Sequence, residues 1–235
     1  MKITVFEKGF NYSQDGPGNR LVYHLSGCNM TCPWCSNPEG MERNGRDYET
    51  DEIINEIKSS APMFFDGGGV TFTGGECTLQ ADAILGIIDS LPDINFCIES
   101  NASTKGFIEV AKKCDTVIVD YKSPDAERLR SVTGADKSII EANITEIISE
   151  KYVHIRIPLI HNFNDDEESM TGFIAFFSSL KGDFDVEILP YHEYGKEKWN
   201  KLGKEYTVTE GYVSREAIKK FIDLMNASSI RVIKT

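Results

Sequence analysis

The stretch Cys28-Asn29-Met30-Thr31-Cys32-Pro33-Trp34-Cys35 places three cysteines in the spacing C-x3-C-x2-C. Three thiolates so close together can surround one metal centre, and a cubane iron–sulfur cluster normally takes four cysteines. A loop that supplies only three leaves one iron without a protein ligand. That iron can bind a small molecule directly, so the spacing predicts a catalytic cluster rather than a simple electron carrier.

A structural zinc ion is the alternative that the cysteines alone leave open. Zinc takes four ligands, so the three cysteines would need a histidine, either His24 or His192. The protein would then be a non-enzymatic zinc-binding module. A disulfide is not expected, because nothing in the sequence looks secreted.

Composition indicates a soluble globular protein of 235 residues, which we expect to form a single domain over residues 1–235. The net charge of −12 argues against nonspecific nucleic-acid binding and against an anionic membrane surface. No apolar run approaches the roughly 18 residues of a membrane-spanning helix. The first seven residues alternate like a strand and do not resemble a signal peptide, so a cytoplasmic location is expected.

Strand-like runs alternate with helical runs along the chain. This alternation predicts an α/β protein with a parallel sheet and outer helices, and six units suit a partial (β/α)6 barrel. The six expected core strands are residues 21–26, 69–73, 95–99, 116–120, 153–159 and 185–189. The helices expected between and after them are residues 51–60, 81–90, 104–112, 138–149, 166–180 and 214–225.

Polar and glycine-rich motifs follow these strands where they end. The cysteine loop follows the first strand, Gly74-Gly75-Glu76 the second, and residues 99–101 and 120–122 end the next two. Because the carboxyl ends of parallel strands meet at one edge of a sheet, we expect one site there. Glycines let a ligand approach the backbone closely, and the carboxylate beside them can accept a hydrogen bond from an ammonium group.

The cysteine spacing followed one strand later by Gly74-Gly75-Glu76 resembles the radical S-adenosylmethionine (SAM) enzymes. Further stretches resemble the glycyl-radical-enzyme activases of that family, most closely those of the pyruvate formate-lyase type. These stretches are Asp15-Gly16-Pro17-Gly18 with Arg20, Asp66-Gly67-Gly68-Gly69-Val70-Thr71, Asp120-Tyr121-Lys122, and Leu189-Pro190-Tyr191-His192-Glu193-Tyr194-Gly195-Lys196 with Lys198-Trp199.

The resemblance implies a radical SAM fold and an enzyme that activates a glycyl radical enzyme. In that family a reduced [4Fe–4S] cluster passes an electron to SAM, and the resulting 5′-deoxyadenosyl radical takes a hydrogen atom from a glycine of the partner. The cofactors perform this chemistry, so no side chain is expected to act as a catalytic acid or base. The expected electron donor is a flavodoxin or a ferredoxin, and the expected protein is a monomer.

The resemblance also implies roles for individual residues. The cluster ligands would be Cys28, Cys32 and Cys35. The SAM contacts would be Asn37, Gly74, Gly75, Glu76, Glu99, Lys122, Arg156 and His192. A monovalent cation, Na+ or K+, would be held by Glu99, Ser100, Asp120 and the carbonyl of Ile118. The family's usual residue at position 99 is aspartate, so Glu99 departs from the pattern. The loop Asp15, Gly16, Pro17 and Gly18, with Arg20, would hold the partner peptide.

The interval between Cys35 and Gly67 contains no cysteine. Many activases of other glycyl radical enzymes carry additional clusters in an insert there, so we expect a single cluster and a partner of the pyruvate formate-lyase type. Activators of anaerobic ribonucleotide reductase are also single-cluster enzymes and form an alternative. They are shorter and lack the region around His192.

Overall fold

The computed structural model of the chain describes residues 1–233. These residues form two compact units. The first consists of Met1–Asn29 and Asn37–Ile118, and the second of Met30–Ser36 and the chain from Val119 onward. The expectation of a single domain stays a prediction.

The first unit is built on a mixed sheet in which β2 pairs in parallel with β4, and β4 with β5. The long first strand instead forms an antiparallel hairpin with β2 and carries a short antiparallel edge strand on its other side. In sheet order the strands are β3 (Arg46–Glu49), β1 (Lys2–Tyr12), β2 (Asn19–Leu25), β4 (Gly69–Gly74) and β5 (Phe96–Ser100).

Three helices accompany this sheet: α1 (Thr50–Ser60), α2 (Ala81–Asp89) and α3 (Phe107–Lys113). Helix α1 begins with a capping box between Glu49 and Glu52, in which each side chain accepts from the other residue's backbone. It buries Ile53 and Ile57, one turn apart, which is the spacing of a helix with one apolar face. Helix α2 follows a short 3-10 turn that leads away from the Gly74-Gly75-Glu76 motif.

The second unit contains the parallel strands β7 (Val153–Leu159), β8 (Phe184–Pro190) and β9 (Val232–Ile233). Strand β6 (Thr116–Asp120) begins in the first unit and ends in the second. The helices are α4 (Ala126–Thr133), α5 (Lys137–Ile148), α6 (Glu167–Ser179), α7 (Lys196–Lys201) and α8 (Arg215–Ala227). Side chains of Asp125, Asp136, Asp166 and Ser214 cap α4, α5, α6 and α8, respectively.

All six predicted core strands are present, and parallel pairing is confirmed for β2–β4–β5 and for β7–β8. The sequence prediction missed β3, α4 and α7. Two of these elements are short and bury few side chains: α7 buries none, and α4 buries only Leu129 and Thr133. Short segments with so few apolar residues give a weak sequence signal. Among residues 1–233, no helix has the length and apolar character needed to cross a membrane.

Candidate cluster and cofactor site

The second unit holds the cysteine loop through residues 30–36. Cys32 is buried and Cys35 half-buried, and the Cys35 amide donates to the Cys32 carbonyl at 3.1 Å, which closes a tight turn. The Trp34 ring packs against Phe163 with centroids 4.5 Å apart. The Thr31 amide donates to the carbonyl of Thr133 at 3.0 Å. The loop is therefore anchored on both sides of its turn.

The first unit holds Cys28, which directly follows the loop after β2. Its amide donates to the Met41 carbonyl at 3.2 Å, and the side chain is half-buried. None of the three motif cysteines is in a disulfide. Three thiol side chains within eight residues are the donor set that a cubane cluster with one open iron requires, so these residue types fit that group.

A single zinc ion requires its ligands to converge on one point, which is a more demanding arrangement than that of a cubane cluster. Within the described part of the chain, no three His, Cys, Asp or Glu side chains are placed to hold one metal ion together. His24, a proposed fourth zinc ligand, lies on β2 with its ring 5.7 Å from that of Phe6. Each cysteine of a cubane binds a different iron, so a cluster does not need three sulfurs around one ion.

Backbone packing explains the two glycines that end β4. Gly74 has φ +115°, and a Cβ there would lie 2.3 Å from the Leu25 nitrogen. A Cβ on Gly75 would lie 2.2 Å from the carbonyl oxygen of Gly27 and 2.3 Å from that of Gly40. No side chain fits at either position. The glycines thus bring β4 directly against the segment that carries Cys28.

The Glu76 carboxylate accepts hydrogen bonds from other residues of the first unit. It is 1% exposed, and its Oε1 accepts from the Ser100 hydroxyl at 2.7 Å and the Thr78 amide at 3.1 Å. The Thr78 hydroxyl donates to the same oxygen. Its Oε2 accepts from the Asn101 amide at 2.7 Å. Glu76 therefore joins the end of β4 to the end of β5.

The residues predicted to hold a cation are already engaged with protein groups. Glu99 accepts from the Thr73 hydroxyl at 2.9 Å, and Ser100 donates to Glu76. Asp120, in the second unit, accepts from the Lys122 ammonium group at 2.9 Å. Ile118 lies within β6 and is the residue at which the first unit ends. The cation site stays a prediction.

The remaining predicted SAM contacts lie before a 3-10 turn, just after strands or within a strand. Asn37, in the first unit, precedes the 3-10 turn Pro38–Met41, and its carbonyl accepts from the Gly40 amide at 3.0 Å. Lys122, in the second unit, is buried just after β6. His192 follows β8 and stacks on Tyr194 with centroids 4.2 Å apart. Burial lowers the pKa of His192, which favours a neutral imidazole.

Arg156 belongs to a buried ionic cluster between β7 and β8 that the sequence prediction missed. Its Nε donates to Glu187 at 2.9 Å, and the two ring nitrogens of His154 face Asp185 and Glu187. Burial opposes the charged imidazole, but the bonds to Glu187 and Asp185 outweigh it and raise the pKa of His154. Burial likewise opposes the charge on Glu187, yet bonds to His154 and Arg156 lower its pKa.

The loop Asp15-Gly16-Pro17-Gly18 lies before β2, at the opposite end of that strand from Cys28. The Ser13 amide donates to the Gly18 carbonyl at 3.0 Å, and the Thr71 hydroxyl donates to the Asp15 carbonyl at 2.6 Å. The Asp15 carboxylate accepts from the Asn11 amide group. The backbone of the loop is therefore tied to β4.

Arg20 supports this loop from inside and is fully buried. Among residues 1–233, its guanidinium donates to neutral oxygens: Thr71 Oγ1 at 2.7 Å and the carbonyls of Val70, Pro17, Asn95 and Gly67 at 2.8–3.3 Å. In this arrangement Arg20 would influence a partner peptide by holding the loop Asp15-Gly16-Pro17-Gly18 in place, through its hydrogen bond to the Pro17 carbonyl.

Comparison with known proteins agrees with this donor set. Residues 22–174 match the family model described as the Radical SAM superfamily. The chain is 32% identical over 206 residues to the pyruvate formate-lyase-activating enzyme of Staphylococcus epidermidis, covering 82% of both chains. It is 26% identical, over an alignment of 281 positions that includes gaps, to the 4-hydroxyphenylacetate decarboxylase activating enzyme of Clostridioides difficile (strain CD196), covering 89% of both.

A solved radical SAM methyltransferase from Sphaerobacter thermophilus has the same fold. It matches with a TM-score of 0.71 at 14% identity, covering 98% of this chain and 69% of that one. The chain belongs to the radical SAM superfamily. The expected fold class, an α/β partial (β/α)6 barrel of the radical SAM type, is confirmed. Members of this family bind a [4Fe–4S] cluster and SAM.

Proposed function

We propose that this protein activates a glycyl radical enzyme, and that the partner is pyruvate formate-lyase or a close relative. The observation that carries the proposal is the three-thiol loop in a chain that is similar, over 82% of its length, to a pyruvate formate-lyase-activating enzyme. The 281 aligned positions with the decarboxylase activating enzyme exceed the 235 residues of this chain, so that relative has segments absent here.

Cys28, Cys32 and Cys35 would hold one cluster, leaving one iron for SAM. When bound, the two groups supply reductive cleavage of the sulfonium and removal of a hydrogen atom from a partner glycine. Gly74 and Gly75 would let the backbone approach the SAM amino group, because neither leaves room for a side chain. Glu76 would keep those glycines in place by tying β4 to β5, since its oxygens already accept four protein hydrogen bonds.

Four further side chains would contact SAM: Asn37, Lys122, Arg156 and His192. Lys122 and Arg156 carry the positive charge that the SAM carboxylate requires. His192 differs from them in charge, because burial lowers its pKa and favours the neutral imidazole. Glu99, Ser100, Ile118 and Asp120 would hold Na+ or K+ beside the cofactor. A SAM affinity that is equal in sodium, potassium and a bulky organic cation would contradict that site.

The loop Asp15-Gly16-Pro17-Gly18 would contact the partner. Strand β2 has seven residues and separates this loop from Cys28. At about 3.3 Å per residue the separation is about 20 Å, so an extended partner segment of about six residues would span it. We further propose one domain, a monomeric cytoplasmic protein, and a flavodoxin or ferredoxin as electron donor.

Anaerobic reconstitution tests the proposal directly. The purified chain should take up four iron and four sulfide per protein, and with a reductant it should split SAM to methionine and 5′-deoxyadenosine. Cys32→Ala should lose both properties, because removing one thiolate exposes a second iron. Zinc uptake without iron, or unchanged SAM cleavage by Cys32→Ala, would overturn the cluster assignment.

Cys77→Ala is the matched control. The Cys77 thiol is fully buried in the first unit and donates to the Glu99 carbonyl at 3.4 Å. Burial raises the pKa of this thiol well above its usual value, so it stays protonated and is unsuited to bind iron. This variant should keep the cluster.

Partner choice is read by electron paramagnetic resonance after anaerobic incubation with SAM and reductant. Pyruvate formate-lyase should acquire a glycyl radical, whereas 4-hydroxyphenylacetate decarboxylase and anaerobic ribonucleotide reductase should not. A radical on either of the latter two alone would replace the proposed partner.

A further inference from the structure

We infer that the segment from Gly195 to Trp199 positions Cys35, and so serves the cluster from a distant part of the sequence. The indole Nε1 of Trp199 donates a hydrogen bond to the Cys35 carbonyl oxygen at 2.9 Å, across 164 positions of sequence. Both residues belong to the second unit. The importance of this bond for the cluster rests on the proposed function, whereas the contact itself does not.

Gly195 is shaped by the same contact. A Cβ at this position would lie 2.2 Å from the Cys35 carbonyl oxygen and 3.0 Å from the Ser36 Cα. The backbone angle is ordinary, φ −75°, so any residue could adopt it. Glycine is therefore required here for close approach and not for conformational freedom.

The bond completes the support of the Cys35 backbone. Its amide already donates to the Cys32 carbonyl, and Trp199 satisfies its carbonyl. With the groups on both sides of the residue held, the direction in which Cα presents its thiol is restricted. Loss of this hydrogen bond to a partly buried carbonyl would cost free energy, which adds a reason for the turn to keep this geometry.

Trp199 is itself held by aromatic side chains. Its ring meets that of Tyr206 edge-on with centroids 6.1 Å apart, and the Tyr206 hydroxyl bonds that of Tyr191 at 2.8 Å. The Trp199 amide donates to the Gly195 carbonyl at 3.0 Å. Tyr191 immediately precedes His192. The same group of aromatic side chains therefore lies beside Cys35, a proposed iron ligand, and His192, a proposed SAM contact.

Trp199 and Gly195 are positioning residues, and thiol reactivity in the cluster-free protein tests this. Trp199→Phe keeps an aromatic ring and removes only the donor. We expect alkylation of Cys35, followed by mass spectrometry under anaerobic conditions, to become about fivefold faster, which corresponds to one hydrogen bond of about 1 kcal/mol. Cys28 lies in the first unit and should react at its unchanged rate.

Gly195→Ala should have a larger effect on Cys35, because the Cys35 carbonyl must move to admit a methyl group. The control is Tyr212→Phe, an exposed residue of the same region whose ring meets Tyr191 edge-on. That control should leave both cysteines unchanged. If Gly195→Ala does not fold, Trp199→Phe still decides the question. An unchanged Cys35 rate in Trp199→Phe would overturn the inference.

A second measurement tests whether the contact between Trp199 and Cys35 stabilises the iron–sulfur cluster. After reconstitution, Trp199→Phe should lose iron on exposure to air severalfold faster than the wild type, while Tyr212→Phe should not. If the wild-type protein fails to take up iron, the proposed function fails and the alkylation result still stands. If iron is taken up but Trp199→Phe and Tyr212→Phe lose it at the same rate, the contact between Trp199 and Cys35 has no role in holding the iron–sulfur cluster.

Discussion

Glu76→Gln offers a sharp test of what the glutamate of the Gly74-Gly75-Glu76 motif does. The carboxylate is 1% exposed and accepts four hydrogen bonds from the protein. Three of them reach Oε1, and the fourth, from the Asn101 amide at 2.7 Å, reaches Oε2. Glutamine can keep its oxygen at the first position, but its NH2 group then faces the Asn101 N–H.

The expected loss follows from that count. One charge-assisted bond disappears and one buried amide is left without an acceptor, which together cost about 3 kcal/mol. For a chain of this size the melting temperature should fall by about 6–12 °C. The measurement is chemical and thermal unfolding of the cluster-free protein, with the exposed Glu210→Gln as the control.

The cluster-free protein separates the two possible roles of this carboxylate. A glutamate that serves only to bind SAM would leave the stability of the cluster-free chain unchanged. A loss below about 0.5 kcal/mol, the range of ordinary surface substitutions, would therefore refute the structural role that we assign to Glu76.

Three further predictions concern other buried groups and the partner loop. Because the folded-state pKa of His154 is raised above the ordinary value of about 6.5, its contribution to stability should be complete below that ordinary value and be lost as pH rises through the higher folded-state pKa. The gap in unfolding free energy between wild type and His154→Gln, measured by urea titration at pH values above 5.5 where Glu187 stays ionised, should shrink with rising pH; a constant gap would contradict it. Arg20→Lys should lose about 3 kcal/mol or more of unfolding free energy, because three ammonium donors cannot satisfy all five oxygens that the guanidinium reaches. An unchanged denaturation midpoint would show that these hydrogen bonds contribute nothing to stability. Asp15→Ala should keep iron content and SAM cleavage but lose the partner's glycyl radical in electron paramagnetic resonance; a normal radical yield would remove the loop from the partner interface.

Much of the fold could be predicted because its signals are local. Apolar runs bounded by turn residues indicated all six core strands, and the C-x3-C-x2-C spacing indicated the chemistry of the cluster without any knowledge of packing. The segments that were missed, β3, α4 and α7, are short and polar, with four, eight and six residues. Intrinsic propensity is too weak to specify such short elements alone.

Residue type suggested a role for Arg20 and Glu76, but their protein contacts could not be predicted from it. Arg20 was predicted to serve a partner, which stays a prediction, and the structure adds that its guanidinium donates to five protein oxygens. Glu76 was predicted to contact SAM, and its oxygens accept four protein hydrogen bonds. Burial depends on neighbours that are distant in sequence.

The sequence by itself determined the donor set, the six core strands and the family. Only the tertiary structure decided which side chains meet. His154 lies opposite Asp185 and Arg156 opposite Glu187 because β7 and β8 pair in one register, and a shift of one residue would separate them. Trp199 reaches Cys35 across 164 positions because Gly195 leaves no Cβ between the two segments. Local patterns reflect the periodicity of the backbone, whereas these contacts depend on how whole elements pack.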